Sequence, residues 1–322
     1  MSKIILQVED LHTSFFTRAG EVKAVDGVSF YVREGETFGL AGESGCGKTV
    51  TALSILRLLP EPAGQIVGGK IILDGTNLLE LDKKEMREYR GRMISMILQD
   101  PMTSLNPVYT IGDQIAESVR LYQGLRDEMV EQEVISALRL LKIPSPEVLL
   151  HDYPFQLSGG MRQRVVGAIA MSCYPRLLIA DEPTTALDAT IQAQYMALFR
   201  DVQKKTNVAI IYITHDFGVI AQMCHRVAVM YAGKIMETAT TRELFEAPKH
   251  PYTSALINSV PRLDRKDERL YSIEGQPPSL MNLPPGCRFA PRCPIAKAVC
   301  REQEPPEVKI SSGHSVSCWR VK

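Results

Sequence analysis

The sequence predicts an α/β protein with a mostly parallel sheet, an inserted helical subdomain and a loop-rich C-terminal appendage. Short apolar runs alternate with helical patterns, and this alternation favours a parallel sheet with helices on both faces. Between 111 and 141 the apolar positions recur at helical spacing, which places the inserted subdomain at about 100–165. Eleven of the twenty prolines fall in 246–322, and this argues against long helices or central strands there.

The expected elements follow from local patterns in chain order. Alternating apolar residues at 4–8 indicate a half-buried strand, and the uninterrupted run at 37–41 indicates a buried strand that enters a glycine-rich turn. A helix at 49–59 ends before Pro60, because proline cannot continue it. Further strands are expected at 28–32, 70–74, 177–181, 208–214 and 226–231, and a further helix at 191–204. We therefore predict a core domain at 1–245 and an extension at 246–322.

Composition limits the classes of function. Lys plus Arg and Asp plus Glu both count 37, and no basic run is visible, which argues against a nucleic-acid partner. The N-terminal apolar run is too short for a signal peptide. The longest apolar stretches, 165–180 and 208–213, are interrupted or too short to cross a bilayer. We expect a soluble, cytoplasmic protein that reaches a membrane only by docking onto a partner.

A phosphate site is predicted at 42–49, where Gly-Glu-Ser-Gly-Cys-Gly-Lys-Thr fits the pattern of a P-loop NTPase. Glycines let successive backbone N–H groups point at phosphate oxygens, and the helix that follows directs its positive end at the same anion. Lys48 is expected to reach the β- and γ-phosphates, and the Thr49 hydroxyl to ligate Mg²⁺. A fortuitous glycine turn is the alternative, and the strand before and helix after the motif argue against it.

A second element is the apolar strand at 177–181, which ends in two carboxylates. Asp181 is placed to hold the Mg²⁺ shell, and Glu182 to polarise the attacking water. Many strands end in an acidic residue that caps the next helix, so this pattern alone is weak. Its pairing with the phosphate loop makes the catalytic interpretation strong.

The segment Leu157-Ser-Gly-Gly-Met161 precedes an apolar helical run and resembles the signature of ABC ATPases. That signature ordinarily ends in Gln, so Met161 is a departure, one that is familiar in peptide-importer members. Ser158, Gly159 and Gly160 at a helix N-terminus would form a second anion site, although the same residues could be a plain helix cap. The resemblance implies a dimer in which each signature faces the partner's phosphate loop across ATP.

Other motifs match this family in order. Gln99 resembles the Q-loop glutamine that senses Mg²⁺ and contacts the membrane subunit, Asp188 the D-loop, and His215 the switch histidine at the γ-phosphate. An aromatic residue stacks on adenine in the family, and Phe15 matches it best, with Phe16 as the alternative; either could belong to the core. The resemblance also assigns nucleotide contacts to Gly42, Glu43, Ser44, Gly45, Cys46, Gly47 and Thr51.

Three segments resemble the dipeptide/oligopeptide/nickel importer branch, at 100–107, 250–256 and 286–294. This resemblance implies an ATPase that powers import of di- or oligopeptides, with nickel or another small solute as the alternative cargo. A soluble ABC ATPase acting on nucleic acid or ribosomes is the distant alternative, because the chain lacks a long coiled coil and a second cassette. The implied partners are a second, homologous ATPase, two transmembrane permease subunits and, indirectly, a substrate-binding protein at the cytoplasmic face of the membrane.

The cysteines are unevenly placed. Cys287, Cys293, Cys300 and Cys318 crowd into the final segment, and in a reducing cytoplasm such a cluster suggests metal before disulfides. Four thiolates could hold a 4Fe–4S cluster or Zn²⁺, and free or paired thiols remain open. Resemblance to peptide-importer ATPases implies the iron–sulfur cluster. Cys46 has two interpretations, a thiol of lowered pKa beside Lys48 or a small filler residue.

Overall fold

The computed structural model describes residues 2–99, 104–185, 187–260 and 272–321. The chain forms two compact units and passes between them several times. The first unit contains Met1–Leu6, Val32–Glu36 and Leu78–Tyr212, and the second contains Gln7–Tyr31, Thr37–Asn77 and Ile213–Lys322. Within these described ranges, no helix is both long enough and apolar enough to cross a membrane.

The secondary structure follows the predicted alternation and adds elements to it. The strands are β1 Ile4–Thr17, β2 Gly20–Arg33, β3 Thr37–Ala41, β4 Gly64–Leu73, β5 Thr76–Asn77, β6 Ile94–Ile97, β7 Leu177–Asp181, β8 Ala209–Thr214, β9 Arg226–Tyr231, β10 Lys234–Thr240, β11 Glu307–Ser311 and β12 His314–Ser317. The helices are α1 Lys48–Ile55, α2 Lys83–Tyr89, α3 Ile111–Gln123, α4 Asp127–Leu140, α5 Pro146–Leu149, α6 Gly159–Met171, α7 Ala189–Thr206, α8 Phe217–Met223, α9 Thr241–Glu246, α10 Pro251–Asn258 and α11 Ala298–Glu302.

The sheet of the first unit places two functional loops side by side. β6 and β7 are parallel, with Ile94 opposite Leu177 and Ile97 opposite Ala180, and β7 is also the neighbour of β8. Every residue of β7 is buried, as its run of apolar residues requires. Because parallel strands present their carboxyl ends at the same edge, the segments that follow β6 and β7 leave the sheet together.

The helical part of the first unit is built by amphipathic segments. α3 buries Ile111, Ile115 and Val119, which recur every four residues and so share one face. The Thr110 hydroxyl caps the helix by accepting the Asp113 N–H at 3.1 Å, and Gly124 ends it in the left-handed conformation. α3 packs on α4 and α6, and α4 also packs on α6.

The second unit contains two sheets, whereas the sequence suggested a mostly parallel sheet. One has the order β2-β1-β4-β5, and the other has the order β3-β9-β10-β12-β11. β3 and β9 are parallel, whereas the β9–β10, β10–β12 and β11–β12 pairs are antiparallel. The change of direction occurs at Ala232 and Gly233, which both have positive φ, at 45° and 85°. Two such residues form a tight hairpin turn, so β10 runs back along β9.

A buried carboxylate fastens the C-terminal extension to β10. Glu237 is fully buried, and it accepts the Lys249 N–H at 2.7 Å and the His250 N–H at 2.9 Å. His314 in β12 donates to the same carboxylate from Nε2, with a separation of 2.8 Å. Three donors from two parts of the extension therefore meet one side chain of β10, and they compensate the cost of burying its charge.

Candidate nucleotide-binding site

The phosphate loop follows β3 in the second unit, and two of its glycines are required by backbone contacts. Gly42 has φ 148°, and a Cβ there would lie 2.2 Å from the Met230 carbonyl oxygen in the neighbouring strand β9. Gly47 has φ 107°, and a Cβ would lie 2.4 Å from the Ala24 carbonyl oxygen. Any side chain at either position would overlap backbone. The sequence pattern therefore reflects a loop that is packed tightly against its surroundings.

The loop leads into α1, and no side chain caps the start of this helix. Gly47 caps α1 without a side-chain hydrogen bond, so the first N–H groups of the helix are not satisfied by a capping side chain. Lys48 is only 5% exposed, and its Nζ donates to the carbonyl oxygens of Gly42 at 2.8 Å and Glu43 at 3.0 Å. The side chain of Thr49 and residues Ser44 and Gly45 are exposed. The predicted phosphate contacts are therefore of two kinds: the ammonium group of Lys48 is buried, and these other three residues are exposed to solvent.

Two further residues, one in the phosphate loop and one in α1, have structural roles. Cys46 is buried, and burial raises the pKa of its thiol more than the nearby Lys48 ammonium lowers it. The idea of an activated thiol is therefore wrong, and the filler interpretation fits. Thr51 is also fully buried, and its hydroxyl donates to the Gly47 carbonyl oxygen at 2.9 Å. Its assignment as a nucleotide contact remains a prediction.

In the first unit, Gln99 and Glu182 meet at the carboxyl edge of β6 and β7. Gln99 Nε2 donates to Glu182 Oε2 at 3.2 Å, and the Thr185 hydroxyl donates to the same oxygen at 3.1 Å. Asp181, the last residue of β7, is almost fully buried. Glu182 has φ 45°, a conformation that costs a non-glycine residue about 1–2 kcal/mol and is concentrated at functional sites.

The predicted signature begins α6. The Ser158 side chain caps the helix by accepting the Met161 N–H at 3.4 Å, while Gly159 is exposed with open space around it. A Cβ at Gly160 would lie 3.0 Å from Ile191 Cγ2 on α7. Asp188 caps α7 by accepting the N–H groups of Thr190 and Ile191, both at 3.0 Å. The signature and the predicted D-loop aspartate thus occupy the starts of two adjoining helices in the same unit.

Sequence reasoning missed Gln163, which ties the signature helix to the turn after Glu182. Gln163 is fully buried, and its Nε2 donates to the Pro183 carbonyl oxygen at 2.6 Å. Its own backbone carbonyl oxygen accepts from the Tyr195 hydroxyl at 3.4 Å. A glutamine inside an apolar helix was the available signal, because a buried amide needs hydrogen-bond partners, and here its nitrogen has one in the turn after Glu182.

The remaining predicted contacts lie in the second unit. His215 follows β8 and is exposed, directly before Asp216, which caps α8. Phe15 is half-buried in β1 and packs against β4, since a Cβ at Gly64 would lie 3.0 Å from its ring. Phe16 is 47% exposed. Stacking on adenine remains a prediction for Phe15, and residues 100–103 and 186 of the predicted motifs lie outside the described residues.

The prediction of a 4Fe–4S cluster in the tail is wrong. Across 2–99, 104–185, 187–260 and 272–321, no group of three or more His, Cys, Asp or Glu side chains could hold a metal ion, and Zn²⁺ therefore lacks a ligand set too. Cys287, Cys293, Cys300 and Cys318 line one small cavity as free thiols. Burial raises the pKa of Cys287 and Cys293 above the usual value of a thiol. The wide spacing of the four cysteines was not sufficient to predict a metal site.

Comparison with known proteins identifies the family of this chain. Residues 25–185 match the family described as ABC transporter, and residues 236–300 match the family described as oligopeptide/dipeptide transporter, C-terminal region. A probable peptide ABC transporter ATP-binding protein of Sinorhizobium fredii is 52% identical, over 98% of this chain and 95% of the relative. The dipeptide transport ATP-binding protein DppD of Bacillus subtilis is 51% identical, over 98% of this chain and 94% of the relative.

Solved structures share the fold. A dimeric structure of the ATP-binding cassette MJ0796, in a post-hydrolysis state bound to ADP and Pi, has a TM-score of 0.65 at 23% identity and covers 74% of this chain and 99% of that one. The family matches and the relatives together give the classification. This chain belongs to the ABC transporter family, among the ATP-binding subunits that carry the oligopeptide/dipeptide transporter C-terminal region.

Proposed function

We propose that this chain hydrolyses ATP to power the import of dipeptides or oligopeptides across a membrane. As a member of the ABC transporter family it is an ATPase subunit. The observation that carries the choice of cargo is the C-terminal match at 236–300, a region described for oligopeptide/dipeptide transporters. Relatives named for peptide, dipeptide and oligopeptide transport support the same choice over nickel.

In this proposal the phosphate loop binds the nucleotide. Lys48 would leave the carbonyl oxygens of Gly42 and Glu43 for the β- and γ-phosphates, where a charge-assisted hydrogen bond is stronger. The N–H groups of the exposed loop and the start of α1 would receive the remaining phosphate oxygens. His215 would contact the γ-phosphate, and Phe15 would stack on adenine.

Mg²⁺ suits the donors that the sequence assigns to it. The Thr49 hydroxyl, the Asp181 carboxylate and the Gln99 side-chain oxygen are hard oxygen ligands, and the buried position of Asp181 favours binding of a cation. When bound, the ion would neutralise charge on the phosphate oxygens. These three residues would hold the Mg²⁺ ion, and Gln99 would also contact the membrane subunit, so that ion binding could affect that contact.

Glu182 is the proposed general base. Its Oε2 accepts hydrogen bonds from Gln99 and Thr185, and these two donors fix the direction of the carboxylate, which would orient a water and take its proton. The water oxygen would bond to the γ-phosphorus while the bond to the β,γ-bridging oxygen breaks, giving ADP and phosphate. The unusual φ of Glu182 supports this role, because such strain persists where function requires a fixed side-chain direction.

The proposed assembly contains a second, homologous ATPase and two permease subunits, with a substrate-binding protein acting indirectly. Ser158, Gly159 and Gly160 would face the partner's phosphate loop, and their position at the start of α6 is compatible with that contact. Asp188, at the start of α7, would lie at the same interface. We place the chain at the cytoplasmic face of the membrane as a peripheral subunit, with no nucleic-acid partner.

The test is uptake by proteoliposomes that contain the complete transporter, its binding protein and internal ATP. We expect accumulation of labelled dipeptide or oligopeptide that stops when Glu182→Gln replaces the native chain. Glu304→Gln serves as a matched control, because it is the same chemical change at a residue of the extension that forms an ion pair with Lys234 of β10. Accumulation of nickel without peptide would reject the proposed cargo.

A further inference from the structure

The C-terminal extension contacts the phosphate loop at Glu43. Arg292 Nη1 lies 2.9 Å from Glu43 Oε2 and 3.1 Å from Oε1. The Tyr252 hydroxyl accepts the Glu43 backbone N–H at 3.0 Å. Both partners come from 246–322, and Glu43 is the second residue of the loop. The extension therefore contacts the loop at both the side-chain carboxylate and the backbone N–H of Glu43.

Arg292 is itself held rigidly. Its side chain is only 6% exposed, and its Nε donates to the Glu274 carbonyl oxygen at 3.1 Å. Nη2 donates to the Ile273 carbonyl oxygen at 3.3 Å, and Nη1 also donates to the Tyr231 hydroxyl at 3.3 Å. A guanidinium group with all three nitrogens engaged offers Glu43 a fixed partner, unlike a mobile surface arginine.

The Tyr252 hydroxyl is positioned by an aromatic cluster. The Tyr252 ring lies 4.6 Å from Tyr231 and 5.2 Å from Phe289, and Tyr231 lies 5.4 Å from Phe289. These side chains come from α10, from β9 and from the loop after Cys287, and all three are fully buried. Tyr231 packs edge-to-face on both other rings, and Tyr252 and Phe289 are tilted against each other at 52°. This packing fixes the orientation of the Tyr252 ring, and hence the direction of its hydroxyl.

Glu43 contacts Arg292 and Tyr252 of the extension and also contacts Lys48, the predicted phosphate-binding lysine. Its N–H is bound by Tyr252 and its carboxylate by Arg292, while its carbonyl oxygen accepts Lys48 Nζ at 3.0 Å. The place of that carbonyl oxygen, and of the ammonium group on it, thus depends on contacts from the extension. A loop held in its binding shape before the ligand arrives loses less conformational freedom when it binds.

We propose that Arg292 and Tyr252 are positioning residues that hold the phosphate loop in its nucleotide-binding shape, so that ATP affinity depends on the docked extension. This inference rests on the proposed role of 42–49 as the phosphate site. It differs from a direct effect of the Arg292 charge on the nucleotide, because positioning acts through Glu43. Removal of the Glu43 charge then separates the two mechanisms.

The experiment measures the Kd of a trinitrophenyl-ATP for the full chain with Mg²⁺. Arg292→Gln, Tyr252→Phe and Glu43→Gln are each expected to raise Kd by about three- to tenfold, since each removes a hydrogen bond that holds the loop. The double variant at Arg292 and Glu43 should bind no more weakly than the weaker of the two single variants. Glu304→Gln, which opens the ion pair between Glu304 of the extension and Lys234 of β10, should leave Kd unchanged.

The following results would contradict the proposed positioning role. Tighter binding by Glu43→Gln together with weaker binding by Arg292→Gln would assign the effect to charge alone. Unchanged Kd in all three variants would show that the extension does not position the loop. Should Arg292→Gln fail to fold, Tyr252→Phe decides alone, because it keeps the ring in the aromatic cluster. Unchanged Kd in Lys48→Ala would instead reject the phosphate site itself.

Discussion

Gly47→Ala and Gly45→Ala form a matched pair that measures how tightly the phosphate loop is packed. Gly47 has φ 107° and Gly45 has φ 76°, so alanine is strained at both positions by about 1–2 kcal/mol. The Cβ added by Gly47→Ala would lie 2.4 Å from the Ala24 carbonyl oxygen, about 1 Å inside an ordinary carbon–oxygen contact. Relief of that overlap costs about 1–3 kcal/mol more. At Gly45 nothing lies within 4 Å of the added Cβ.

We therefore expect Gly47→Ala to lower the free energy of unfolding by about 2–5 kcal/mol, and Gly45→Ala by about 1–2 kcal/mol. Urea unfolding of the nucleotide-free protein measures both values, and the difference between them isolates the backbone contact. Equal losses for the two variants would refute the reasoning, because the contact with Ala24 would then add nothing to the strain of positive φ.

Three further outcomes follow from the same structure. Lys48→Ala should weaken ATP binding at least about tenfold by calorimetry, since a charge-assisted hydrogen bond to phosphate is lost, and unchanged affinity would contradict the phosphate-site assignment. Glu237→Ala should lower the free energy of unfolding by about 3–5 kcal/mol in urea, because it leaves two backbone N–H groups and the His314 ring without their acceptor in a buried place. A loss below about 1 kcal/mol would show that the extension is fastened elsewhere. Cys46 should react with iodoacetamide at neutral pH at least about tenfold more slowly than an exposed thiol, because burial raises its pKa and protects it, and the rate should increase with pH; an ordinary rate by mass spectrometry would contradict this.

The nucleotide-binding elements were predictable because their signals are local. β3, β7 and β9 are short apolar runs buried on both faces, and their bounds agree with the predicted strands. The phosphate loop is equally local, since Gly42 and Gly47 report a backbone requirement at their own positions. The contact between Gln99 and Glu182 was not predicted, because it depends on the parallel pairing of β7 with β6, a strand that the sequence analysis missed.

Contacts across long sequence distances were not predictable. Arg292 and Glu43 are separated by 249 positions, and neither residue has a local pattern that identifies the other. The proline content of 246–322 hid β11 and β12, because these two short strands follow Pro306, the last proline in the sequence, and the average over the whole segment does not describe them. The cysteine spacing suggested a metal as the fastening of the extension, whereas the structure fastens it through the buried Glu237 carboxylate.

The most direct test of the account compares ATP binding and ATP hydrolysis by Glu182→Gln in the assembled transporter. The change keeps the shape of the side chain and removes its ability to take a proton, which contributes about 10²–10⁴-fold to such reactions. We expect Kd for ATP to stay within about twofold of the native value while hydrolysis falls at least about a hundredfold, with Glu304→Gln remaining active. Undiminished hydrolysis by Glu182→Gln would contradict the assignment of Glu182 as the general base of this ATPase.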